Sequence, residues 1–252
     1  MLYGRNDARA GDATVSRVRA DRGSSIGQRL WAATGALSVV LFGCGLLFGD
    51  LLGTDNYPPL DASFATLSRY FSENRSEVHA LAFFHTLSAL ALLCFAANLS
   101  AWIRMAVPRR DAIAAATLAG GAGAAFFLLL SALLYWALAE PAVASDAGAA
   151  RAIFVLSYLA GGIAITLPLA LMIGSATILA LQRVLLPRWS GWLGATATGV
   201  SLASASMLLG PSNNRSAFYG ILLIAAVLGF AWLFTTSLWL ALRGNLALRP
   251  AE

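Results

Sequence analysis

The sequence predicts an all-α fold, a polytopic membrane helical bundle of six transmembrane helices with a short amphipathic helix in the first outer loop. Composition is the first reason: hydrophobic residues make up 59% of the 252, charged residues only 12%, and mean hydropathy is +0.73. The second is length, since a hydrocarbon core about 30 Å thick takes about 20 apolar helical residues to cross, and the chain supplies that length six times. The third is the placement of arginine. Thirteen of the 17 basic residues, all of them arginine, fall on one side of the implied membrane and four on the other.

The spans are expected at Leu30 to Asp50, Val78 to Ile103, Ile113 to Leu138, Ala152 to Leu181, Gly191 to Gly210 and Ala217 to Leu242. Backbone amides inside lipid must pair within their own segment, so each apolar run reads as a helix. Three domains follow: a mobile N-terminal tail over 1–29, the six-helix domain over 30–244, and a C-terminal tail over 245–252. The tail is polar and without apolar periodicity, and its charged stretch is too long for a signal peptide. The first span is therefore expected to be retained.

Orientation follows from the loops. The N-terminal tail carries six arginines, the second loop Arg104, Arg109 and Arg110, the fourth Arg183 and Arg188, and the C-tail Arg243 and Arg249. The other side holds Arg69, Arg75, Arg151 and Arg215, with most of the acidic residues. The positive-inside rule then places both termini in the cytoplasm. The absence of lysine suggests a GC-rich coding sequence, and a bacterial plasma membrane is the expected location. The lipid bilayer is the expected partner, with a homo-oligomer or a membrane-complex partner beside it. The arginines are juxtamembrane and scattered, which argues for anionic headgroups and against nucleic acid.

In the first outer loop, Asp61 can cap a helix that gathers Phe64, Leu67, Tyr70 and Phe71 on one face. Such a helix lies on the outer leaflet or closes over a cavity. The third and fifth spans carry small residues every fourth position, Ala112, Ala116, Gly120 and Ala124, and Gly191, Ala195, Gly199 and Ala203. Small residues let helix backbones approach in lipid, so these two spans are expected to sit centrally. Pro168, following Gly161 and Gly162, predicts a kink near Ala164. Asn74-Arg75-Ser76 and Asn214-Arg215-Ser216 enter the second and sixth spans alike, a faint sign of duplication.

Chemistry in a membrane protein is sought where polar side chains lie inside the spans, because hiding them from water is costly. At 1.5 Å per residue, His85, Ser131 and Tyr158 each fall about 10 Å from the outer boundary. Tyr135 lies within a turn of that level, and Asp50 and Glu140 sit just above it. These six are the candidates for an outward-facing polar pocket; the alternative is that each bonds a neighbouring helix on its own. His79 and His85 share one helix and point about 120° apart, which disfavours haem held by two histidines. Cys44 and Cys94 differ in depth by more than a disulfide can span. Walker, dinucleotide and zinc-protease signatures are absent, as is the lysine of retinal chemistry. No catalytic, cofactor-binding or metal-binding residue is assigned.

Leu186-Pro187-Arg188-Trp189-Ser190-Gly191-Trp192-Leu193-Gly194, with Asp61-Ala62-Ser63, Tyr70-Phe71 and Asn74-Arg75-Ser76, resembles a family of uncharacterised six-span membrane proteins of actinobacteria and other bacteria. The resemblance covers about Leu30 to Gly244 and implies the six-span fold without a residue role. Independently, Pro187-Arg188-Trp189 reads as a helix stop with arginine at the headgroups and tryptophan in the interfacial belt. Three functions stay open: a non-enzymatic sensor or membrane-complex subunit, a transporter or lipid- or small-molecule-binding protein using the outer pocket, and a membrane redox or lipid-modifying enzyme.

Overall fold

The computed structural model describes residues 7–48, 57–209 and 215–247, with side chains placed for 27–48, 57–206, 208–209 and 220–242. Among the described residues the chain is all-helical, 88% helix without a strand. Its elements are α1 (Asp7–Leu46), α2 (Phe64–Glu73), α3 (Arg75–Ala106), α4 (Asp111–Leu138), α5 (Pro141–Ala144), α6 (Ala147–Gly161), α7 (Ile163–Leu181), α8 (Arg188–Ser204) and α9 (Arg215–Ala247), with a 3-10 turn, Ala205–Leu208, continuing α8. Among the described residues five segments are long and apolar enough to cross a membrane: Gly27–Leu46, Arg75–Ala106, Asp111–Leu138, Ala147–Leu181 and Gly220–Leu242. The fifth run expected from the sequence forms α8, which at 17 residues is shorter than the others.

Six helical rods form a closed ring in chain order: α1, α3, α4, the α6–α7 pair, α8, α9, and back to α1. Side-chain pairings fix their directions. Phe42 meets His85 while Ser38 meets Ser88, so α1 and α3 are antiparallel. Arg75 meets Glu140 and a Cβ on Gly121 would meet Ala96, so α3 and α4 are antiparallel too. A Cβ on Gly162 would touch Leu222 and one on Gly229 would touch Leu169, which makes α9 parallel to α7. A chain that runs the same way in α7 and α9 must come back between them, and α8 is the described helix there.

Large side chains pack the middle of the ring. Leu92, Phe95, Leu99 and Trp102 of α3, Met172 and Ile173 of α7, and Trp232 and Leu233 of α9 fill it, all essentially inaccessible. Glycine permits close approach to a neighbouring backbone: a Cβ on Gly120 would run into the Met172 nitrogen and the Pro168 carbonyl oxygen. Gly120 and Gly121 thus let α4 wedge between α7 and α3, as one rod of the ring rather than at the central position expected for that span.

The expectation for α8 needs correction. Its buried face is Gly191, Gly194, Ala197, Ser201 and Ser204, whereas Gly199 faces open space and Ala203 is exposed. A spacing of four drifts around a helix of 3.6 residues per turn, so the small-residue row leaves the seam after one turn. Ala112 of α4 leaves its seam similarly and is exposed. Pro187 also differs from expectation: α7 has already ended at Leu181, and Pro187 sits in extended conformation (φ −69°, ψ 151°) at the start of α8. Fixed φ and a missing N–H suit proline to a helix beginning.

Pro168 lies inside a continuous α7, and the interruption falls at Gly162, two residues before the expected kink. Ser63, not Asp61, caps α2: its hydroxyl accepts from the Thr66 N–H at 3.2 Å, a reach that Asp61, two residues earlier, does not have. Leu67, Tyr70 and Phe71 are buried against Val78, Leu138, Ala139 and Phe154, so α2 lays its apolar side on the end of the bundle. Phe64 stays partly exposed. The Asn214-Arg215-Ser216 echo begins outside the described residues.

Candidate functional site

Buried hydroxyls are the commonest polar groups in the bundle, and they stand at every interface of the ring. Ser38 and Ser88 each donate to the other's carbonyl, at 3.0 and 2.8 Å, joining α1 to α3. Ser100 donates to Ala114 O across α3 and α4. Thr117 and Ser175 pair at 2.8 Å between α4 and α7, and Thr166 and Ser204 at 3.4 Å between α7 and α8. Ser190 meets Thr236 at 3.0 Å and receives the Trp232 indole N–H on its carbonyl, joining α8 to α9. Ser237 closes the ring onto α1 through Ala32 and Ala36. In lipid, where apolar surface gives helices no reason to prefer each other over acyl chains, such bonds and close packing hold a bundle together.

The candidate residues stand on this frame. His85, on α3, is buried against α1. Its ring stacks on Phe42 with centroids 4.5 Å apart and planes 4° from parallel, and Phe42 in turn stacks on Phe230 at 4.4 Å. Gly45 makes room for it, because a Cβ there would lie 2.6 Å from His85 Cδ2. The Nε2 atom is buried without a hydrogen-bond partner.

Ser131 points a different way. Its hydroxyl donates to Ser157 O at 3.1 Å on α6, and Gly161 leaves it space. Tyr158 is half-buried on the same helix. The register of α3 against α4, set by Arg75 with Glu140 and Ala96 with Gly121, brings His85 and Ser131 to about the same level. They nevertheless face opposite neighbours.

Tyr135 receives a hydrogen bond from the Tyr57 hydroxyl at 3.0 Å, in an aromatic cluster that includes Tyr70, Phe71 and Phe154 beneath α2. Glu140 begins the α4–α6 connection and takes the Arg75 guanidinium at 3.3 Å on both carboxylate oxygens. His79 Nε2 stands 3.9 Å from Glu140, too far for a hydrogen bond, while its ring stacks on Trp136. Asp50 lies outside the described residues. The structure therefore brings Tyr135 to the α2 aromatics and Glu140 to Arg75 and His79. It sets His85 and Ser131 at separate interfaces.

Among the described residues no group of three metal-ligating side chains converges, and Cys44 and Cys94 are separate, half-buried thiols. Two hollows among the described residues lie elsewhere. One, about 440 Å³, is an apolar groove on the outside of the ring where α4, α7 and α8 meet. Another, about 470 Å³, lies beside Arg183, Arg188 and Trp239 at the end where α7 turns into α8. The sequence reading missed both, since a groove between three helices leaves no mark in any one of them.

Comparison with protein-family models, with curated proteins and with solved structures returned no match.

Proposed function

We propose that the protein is a non-enzymatic six-pass membrane protein, a rigid subunit or sensor scaffold whose termini share the cytoplasmic side of a bacterial plasma membrane. The helical apolar segments make an integral membrane protein of it. The sixth pass is supported by the place of α8 in the ring. Residues 188–208 form a helical stretch about 30 Å long, equal to the thickness of the hydrocarbon core. The sidedness is supported by the arginine count. Tryptophans also stand exposed towards both ends, Trp31, Trp189 and Trp192 at one and Trp136 at the other, as an interfacial belt requires.

One observation carries the scaffold reading: hydroxyl clasps at every ring interface surround a filled centre, and the buried candidates His85 and Ser131 face different neighbours. Chemistry needs groups that converge on a reacting atom, and a transport path needs polar groups lining a shared space.

Water accessibility tests this. With Cys44 and Cys94 replaced by alanine, single cysteines at 85, 131 and 158 are treated in intact membranes with an impermeant thiol reagent. The scaffold reading expects none of the three to react. Reaction at all three from one side would restore the outward pocket and with it the transporter or ligand-binding reading.

A further inference from the structure

The groove between α4, α7 and α8 is walled by Ala112, Ala116, Leu167, Leu171, Ile178 and Leu202. Gly174 shapes its floor: a Cβ there would already press on Thr198 at 3.1 Å, and any larger side chain would fill the space. Along α7 the lining runs from Leu167 to Ile178, about 16 Å at the helical rise. It is a slot whose length follows the membrane normal if α7 crosses, and it opens sideways, where acyl chains lie. A volume of about 440 Å³ is in the range of small-ligand sites.

The two ends of the slot differ in charge. At the Leu167 and Leu202 end the walls are apolar. At the Ala112 and Ile178 end the slot comes within a turn of Arg109 and Arg110, where Arg110 donates to the Gln182 side chain and so ties the start of α4 to the end of α7. Arg183 follows at once, and Arg188 opens α8. The acidic residue nearest in sequence is Asp111, in the first turn of α4. An apolar slot ending in arginines complements a molecule with a hydrocarbon chain and an anionic head. Basic pockets between transmembrane helices on the cytoplasmic side bind such headgroups.

We infer that this groove is a binding site for one anionic phospholipid, its acyl chain lying along α7 between Ala116 and Leu202 and its phosphate at Arg109 and Arg110. The site rests on the membrane reading above but not on the scaffold role, and the thiol-labelling result does not decide it. The arginines confer headgroup selectivity, and the groove walls confer chain binding. The two contributions separate by mutation.

The test is native mass spectrometry of the detergent-purified full chain titrated with phosphatidylglycerol or phosphatidylcholine of matched chains. The wild type is expected to bind one phosphatidylglycerol at least five-fold more tightly than phosphatidylcholine. R109Q/R110Q is expected to bind the two lipids equally. Ala116→Phe, which fills the slot from α4, is expected to lose at least five-fold for both. Leu202→Trp fills it from the exposed side of α8 and is expected to match Ala116→Phe, so misfolding of one variant leaves the other as the test. Equal affinity of the wild type for the two lipids overturns the inference. So does unchanged phosphatidylglycerol binding in both slot-filling variants, and so does a dimer mass abolished by those variants, which would give the groove to a second copy of the chain.

Discussion

The Ser237 hydroxyl accepts a hydrogen bond from the Ala36 N–H at 2.8 Å and donates one to the Ala32 carbonyl at 2.6 Å. Residues 32 and 36 are four apart, the donor and acceptor that an α-helix ordinarily joins directly. A side chain from α9 thus sits at a backbone hydrogen bond of α1, fastening the last rod of the ring to the first. Ala32 and Ala36 are small enough to admit it. A Cβ on the intervening Gly35 would come within 2.9 Å of the Ser237 Cβ.

Ser237→Ala is expected to lower stability by about 1 kcal/mol, the usual worth of an interhelical hydroxyl bond in a membrane protein. Gly35→Leu is expected to cost more, roughly 1–3 kcal/mol, because its side chain must displace Phe95 as well. Reversible denaturation in mixed micelles checks both. Equal stability of Ser237→Ala and wild type would show that the bond contributes nothing net.

Gly120 and Gly199 make a matched pair. At Gly120 an added methyl meets backbone atoms of α7, which cannot swing aside, and Gly120→Ala is expected to destabilise by roughly 1–3 kcal/mol. At Gly199 nothing lies within 4 Å, and Gly199→Ala is expected to be neutral or stabilising by up to about 1 kcal/mol through helix propensity. Thermal unfolding of the two variants side by side reads the difference.

Removing the imidazole separates packing from polarity at position 85. His85→Phe keeps a flat ring against Phe42 and deletes the unpartnered Nε2. It is expected to be no less stable than wild type, since a buried polar atom without a partner is a cost. His85→Ala leaves a void and is expected to lose about 2–4 kcal/mol. A wild type markedly more stable than His85→Phe would mean that the hydrogen bonds of the imidazole, the one to the Phe42 backbone first, outweigh the cost of burying Nε2.

Glu140 and Arg75 are about a third and a half exposed, and an ion pair in that setting contributes little. Glu140→Gln is expected to shift stability by no more than about 1 kcal/mol, with a smaller effect at high salt. Denaturation at low and at molar sodium chloride measures it.

The rods were legible because crossing lipid demands long apolar runs, and Arg75–Ala106 and Asp111–Leu138 stand where hydropathy put them, the first a few residues longer at both ends and the second at its start. Relative level was legible as well, since helical rise alone puts His85 level with Ser131. Rotation was not. His85 turns to Phe42 and Ser131 to Ser157 because Gly45 and Gly161 leave the space, and those glycines belong to other helices. The α8 stripe failed for a related reason: spacing of four marks a seam only while the partner follows the same drift. Ser38, Thr117 and Thr196 are all hydroxyls within the expected spans, yet Ser38 clasps Ser88, Thr117 pairs with Ser175, and Thr196 turns back to its own helix at Trp192 O.

A topology map of the full chain, with reporters fused at both ends and inserted at 145 and 185, decides whether the chain crosses six times. Six passes put the termini and position 185 on the cytoplasmic side and position 145 on the opposite one. Termini on opposite sides, or position 185 sharing a side with position 145, would contradict six passes.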